Sequence, residues 1–177
     1  SDLPGAAICP FYDALLDAEN DIRQVLVRQE ANGGHAANGY ARISGKPAVC
    51  IATSGPGATN LITAIATAYA DSIPIVCITG QVNTDQIGSD VFQEADITGS
   101  AEPFVKHSYL LKDPEDTARV FKEAFYIAGT GRPGPVLIDI PMDVQKAVID
   151  FEYPEKCEIR SYKPTTKGNY VQIGRAS

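Results

Sequence analysis

Three features of this chain could do chemistry: a carboxylate, a Gly-Pro-Gly turn, and an amide beside an aromatic ring. Glu30 opens a stretch rich in glycine and alanine, Ser54-Gly55-Pro56-Gly57 separates an apolar run from a helical pattern, and Phe92-Gln93-Glu94 lies within a long polar segment. Glu30 has two readings. In the first turn of a helix it favours the helix dipole; as a partly buried carboxyl it suits proton exchange with a cofactor ring. The Ser54–Gly57 turn allows close backbone approach to a ligand, with helix N–H groups behind it. This turn has neither the GK[ST] ending of a P-loop nor the GxGxxG spacing, so a flat ring fits it better than a phosphate chain. Phe92 and Gln93 read as ligand contacts or as solvated loop. Arg132 reads as a surface arginine or as a clamp on an anionic ligand. His35 reads as a packed helix residue. No second His or Cys stands at ligand spacing, so no protein-built metal site is expected.

The elements that must hold these residues follow from periodicity. Pro10 suits the first turn of a short helix reaching about residue 18. Residues 22–28 (IRQVLVR) are β-branched enough for a strand, and 30–43 continue as a helix whose three glycines point to close packing against a neighbour or a ligand. A strand over 47–53 leads into the turn, and a helix over 58–70 carries Leu61, Ile62, Ile65 and Tyr69 among small residues with no charged face. That helix is expected to be buried on nearly all sides. A buried strand closes at Thr79. The segment 80–99 is long and polar, as ordered functional loops often are. A short strand over 106–111, an amphipathic helix over 114–129 with acidic residues in its first turn, a glycine-rich turn and a strand over 135–140 complete the pattern. Strand–helix alternation with near-continuous apolar strands predicts an α/β fold, a mostly parallel sheet with helices on both faces. Ligands of such sheets bind beyond the carboxyl ends of strands, which selects Glu30, Ser54–Gly57, Gln81 and Pro141.

Composition narrows the partners. The 177 residues carry a formal charge of −7, with no basic stripe for a phosphate backbone, so nucleic acid is not expected. No apolar run is long enough for a membrane helix and no signal peptide opens the sequence. Of Cys9, Cys50, Cys77 and Cys157, the middle two fall in core strands and read as buried free thiols, which fits a cytoplasmic or organellar-matrix setting. The domain is expected over 1–145, with a linker over 146–177.

Taken together, Arg28-Gln29-Glu30, the segment His35-Ala36-Ala37-Asn38-Gly39-Tyr40-Ala41-Arg42 and the run Thr53-Ser54-Gly55-Pro56-Gly57-Ala58-Thr59-Asn60 resemble the pyrimidine-binding domain of thiamine-diphosphate enzymes. The sharper similarity, through Ala70–Pro74, Gly80-Gln81-Val82, Phe92-Gln93-Glu94, Lys106-His107-Ser108 and Gly131–Val136, is to catalytic subunits of the acetolactate synthase family. It spans about Leu3 to Lys167. The resemblance implies that Glu30 bonds N1′ of the aminopyrimidine, and that Pro56, Gly57, Asn60 and Gln93 also face the cofactor. Glu30 and Gln93 would be catalytic, and Gly5, Ala6, Phe92 and Lys106 would border the substrate pocket. Ser72 and Arg132 would lie near FAD. It implies thiamine diphosphate, FAD and Mg2+ as cofactors, and pyruvate and a second 2-keto acid as substrates. It also implies a homodimer or tetramer with a possible small regulatory subunit. The Mg2+ would be held by a diphosphate domain whose Gly-Asp-Gly motif does not occur among the 177 residues, so these residues alone would be inactive. Other thiamine-diphosphate carboligases or decarboxylases, and a non-catalytic interaction domain of the same fold, stand as alternatives. Four departures from the family pattern bear on substrate preference: Ala6 after Pro4-Gly5, Gln29 before Glu30, Ala31-Asn32, and Met142.

Overall fold

The computed structural model describes residues 5–18 and 21–168; Leu3 and Pro4 of the first turn fall outside them. Four parallel strands form one sheet: β1 (Ala48–Ala52), β2 (Ile75–Gln81), β3 (His107–Leu110) and β4 (Val136–Pro141), in the order β1-β2-β4-β3. All seven residues of β2 and all six of β4 are buried, as expected for central parallel strands covered on both faces.

The period of two along each strand sorts the core. Cys50, Ile75, Cys77 and Leu137 face α2 (Glu30–Ser44), α4 (Ile62–Ala70) and α5 (Ile97–Ala101). Val76, Ile78, Val136, Ile138 and Ile140 face α6 (Thr117–Gly129) and α7 (Met142–Lys146). Cys50 and Cys77 are register partners whose sulfurs sit 3.8 Å apart as thiols. One glycine of α2 has an identifiable use, while Gly39 faces open space. A Cβ on Gly34 would lie 2.5 Å from the Ala64 Cβ, so α2 and α4 approach as closely as they do because no side chain intervenes. Arg42 and Asp71 form an ion pair at the far ends of the same two helices.

Several expectations need correction. Residues 22–28 form no strand, and Val25 and Leu26 are exposed. β-branched residues favour extended backbone, but a strand also needs a neighbour, and none pairs here. Glu30 therefore follows an exposed segment, not a buried strand. The helix after the turn starts earlier than expected and is interrupted at Leu61, giving α3 (Pro56–Asn60) and α4. It buries Leu61, Ala64, Ile65 and Ala68 but shows Thr59, Thr63 and Tyr69 to solvent, so it has one buried face. His35 is exposed on α2, not packed. Beyond α7 the described residues, up to 168, form no helix or strand, and Ile159 and Tyr162 pack back onto the α6 face.

Candidate functional site

The site lies at the carboxyl ends of β1 and β2. Glu30 is the first residue of α2, behind an extended Gln29, and its side chain is buried, with 8% of the residue exposed. Its Oε2 accepts a 3.1 Å hydrogen bond from Asn60 Nδ2 at the end of α3. A Cβ on Gly57 would stand 3.3 Å from Glu30 Oε1 and 2.7 Å from Thr53 Cγ2. The turn backbone thus reaches the carboxylate only because position 57 has no side chain. Gly55 is held at φ +59°, a left-handed conformation that favours glycine, and a Cβ there would lie 2.8 Å from the Gln93 carbonyl oxygen. The Gly-Pro-Gly turn is therefore in contact with two candidate residues, Glu30 on one side and Gln93 on the other.

Gly5 joins from the N-terminal side, since a Cβ on it would overlap the Thr53 side chain. Ala6 follows it, exposed, in a short 3-10 turn. Phe92 is 88% exposed and Gln93 is itself left-handed at φ 61°. Their loop is gathered by the Glu94 carboxylate, which accepts from the Gly88 N–H and, at 3.2 Å, from the Val91 N–H. The backbone bond from Gly88, chief among these, lowers the Glu94 carboxyl below its usual range.

Ser72 and Arg132 meet elsewhere. Arg132 Nε donates to Ser72 Oγ at 2.7 Å, and the guanidinium lies 5.7 Å from the Tyr69 ring centroid. Ser72 precedes β2 and Arg132 precedes β4, so the pair sits at the amino end of the sheet, opposite Glu30. Lys106 is there too, immediately before β3. Its ammonium donates to the Ile127 carbonyl, to the Thr130 carbonyl at 2.7 Å and to the Tyr162 hydroxyl at 2.9 Å. With those acceptors filling its donors, Lys106 does not border the Glu30 site of this chain. It fastens the C-terminal segment. Lys106→Met is expected to cost about 1–3 kcal/mol through the carbonyls and hydroxyl left unpaired. A thermal melt alongside limited proteolysis around Tyr162 checks this, and an unshifted melting temperature would remove that role.

A buried network beneath the site was not foreseen. Asp139, 1% exposed on β4, accepts from Thr79 Oγ1 at 2.6 Å and from Gln81 Nε2 at 2.9 Å. Burial pushes its carboxyl up to about 7, against the lowering effect of those two donors. One signal could have found it: an acid within the apolar run Val136–Ile140 either has partners or marks a site.

The cradle suits a flat, polar-edged ring. It offers a buried carboxylate, two glycines whose missing side chains leave backbone close by, and a Thr53 hydroxyl that is buried with no hydrogen-bond partner. Among the described residues no cluster of His, Cys, Asp or Glu could hold a metal ion, so this cradle does not fit Mg2+ by itself.

The chain matches, over residues 2–100, the family described as thiamine pyrophosphate (TPP) enzyme, N-terminal TPP-binding domain. It belongs to that family. The expected α/β fold of this TPP-binding domain is the one observed, with its helices on both faces of the sheet. Acetolactate synthase of Mycobacterium bovis is 51% identical over 175 residues, which cover 99% of the chain and 28% of the relative. The acetolactate synthase large subunit of Corynebacterium glutamicum is 51% identical, covering 98% and 28%. The probable large subunit of Methanocaldococcus jannaschii is 52% identical, covering 98% and 30%. The domain thus spans about three tenths of the length of these curated relatives.

Proposed function

We propose that the chain is the pyrimidine-binding part of an acetolactate synthase large subunit, serving the decarboxylation of pyruvate and the joining of its two-carbon remainder to a second 2-keto acid in branched-chain amino acid synthesis. The observation that carries this is Glu30, buried against the Gly57 backbone in a domain half identical along its whole length to acetolactate synthases. Thiamine diphosphate, when bound, supplies the electron sink that loss of carbon dioxide from a 2-keto acid requires.

The protein's own work is to bind, orient and move a proton. Asn60 holds one oxygen of Glu30, leaving Oε1 toward the turn, where a ring nitrogen would meet it. Gly55, Pro56 and Gly57 bring backbone close to that ring, and the Thr53 hydroxyl offers a further polar contact. Gln93 and Phe92 lie on the loop that closes on the turn; we assign them, with Gly5 and Ala6, to the substrate side. Ser72 and Arg132 are assigned to FAD, supported by an exposed guanidinium already ordered by Ser72 and Tyr69. Mg2+ belongs to a complementing diphosphate domain, and the active unit is a homodimer or tetramer, with which the exposed Val25, Leu26, Tyr40 and Ile43 agree. A small regulatory subunit and a cytoplasmic or organellar-matrix location complete the reading.

The test is an acetolactate assay on the full-length protein with pyruvate, thiamine diphosphate, Mg2+ and FAD. Acetolactate is the expected product. Thiamine diphosphate binding without acetolactate would replace the proposed reaction with another of the same cofactor, and no binding would remove the proposal.

A further inference from the structure

Gln81 closes β2 and its amide orientation is fixed by its surroundings. Oε1 accepts from the Val82 N–H at 2.9 Å, so Nε2 is the group that faces two acceptors at once, Asp139 Oδ2 and the Ala95 carbonyl, each at 2.9 Å. Ala95 lies two residues beyond Gln93, whose carbonyl packs against Gly55. A continuous path therefore runs from a buried acid on the central sheet, through one amide, to the loop that meets the Gly-Pro-Gly turn.

We propose that Asp139 is a positioning residue: through Gln81 it anchors the loop 82–95 and so holds Gln93 against the turn beside Glu30. This rests on the cofactor reading of that turn. A merely structural acid would need only to satisfy itself, and Thr79 on the neighbouring strand already gives it one donor. Its second oxygen instead orders the amide that reaches out of the sheet to the loop. The other charged group acting on Asp139 is Asp96, which caps α5; α5 carries no ionisable side chain, and β3 places Leu110 opposite Asp139. Nothing cationic among these competes with Gln81 for the carboxylate.

The experiment is amide hydrogen exchange on the full-length protein, with thiamine diphosphate titration on the same variants. Gln81→Leu and Asp139→Ala are expected to speed exchange across 82–95 by about tenfold or more while β2 and β4 keep their protection. Asp139→Asn is expected to stay within about threefold of the parent, since asparagine can turn its oxygen to Gln81 and its amide to Thr79. Loop exchange unchanged in Gln81→Leu, or strands loosened as much as the loop, overturns the proposal. If Gln81→Leu does not fold, the contrast between Asp139→Ala and Asp139→Asn decides alone. Weaker thiamine diphosphate binding in step with a loosened loop supports the link to the site. A loosened loop with unaltered binding overturns that link, and leaves the reading of Glu30 to its own variant.

Discussion

Glu30→Gln in the full-length protein is expected to lower the rate of acetolactate formation by about 10²–10⁴-fold, the range lost when a positioned proton-transfer group is removed. The substitution keeps the shape of the side chain. Glutamine can still offer its carbonyl oxygen to Asn60 Nδ2, so the one hydrogen bond seen on Glu30 survives and the buried volume is unchanged. What disappears is the capacity to hold a proton at Oε1, the oxygen nearest the Gly57 backbone. Stability should therefore move by less than about 1 kcal/mol. Steady-state rates and a thermal melt on the same preparation separate the two effects. Activity near that of the parent would end the assignment of Glu30; a melting temperature that collapses with the activity would show a folding role instead.

Asp139 predicts the largest effect of pH on stability. Burial raises its carboxyl to about 7 in the folded protein from an ordinary value of 3.8. Between those values the folded chain holds a proton that the unfolded chain has released, so raising the pH favours unfolding. The contribution is fully present below about pH 4 and is lost as pH rises through about 7, by up to roughly 4 kcal/mol. Carboxyls held low, such as Glu94 under its loop N–H groups, act with the opposite sign. The informative quantity is the difference between the parent and Asp139→Asn. Denaturant unfolding at several pH values should show the parent losing stability relative to the variant from pH 4 to 7. Parallel curves would mean that Asp139 is charged throughout and that its donors outweigh its burial.

The parts of the site that the sequence made legible are those fixed locally. A strand, a Gly-Pro-Gly turn and a helix start are encoded within a few residues, and they place Gly55, Pro56 and Gly57 without reference to the rest of the chain. Glu30 was selected as the residue past an expected strand that does not form; what places it is its position at the start of α2. Pairing is not local, which is why 22–28 looked like a strand: its side chains favour extended backbone, but only tertiary structure could supply a partner. Lys106 was misplaced for a different reason. It precedes a parallel strand, and residues before such strands emerge at the amino end, away from the ligand side. Applied to every strand, that rule would have separated it from Glu30. Asp139 passed unnoticed because one acid in an apolar run barely alters the pattern, though its burial demands partners.

The sheet has a polarity of its own. Glu30 and the turn occupy its carboxyl edge, while the Arg132–Ser72 pair occupies its amino edge, with seven residues of β2 between them. At about 3.3 Å per residue that is roughly 20 Å of rigid, close-packed strand. At such a distance, with no shared partner, perturbations of free energy simply add. Each edge can therefore take substitutions without disturbing the other, and the domain behaves as two independently adjustable surfaces on one rigid plate.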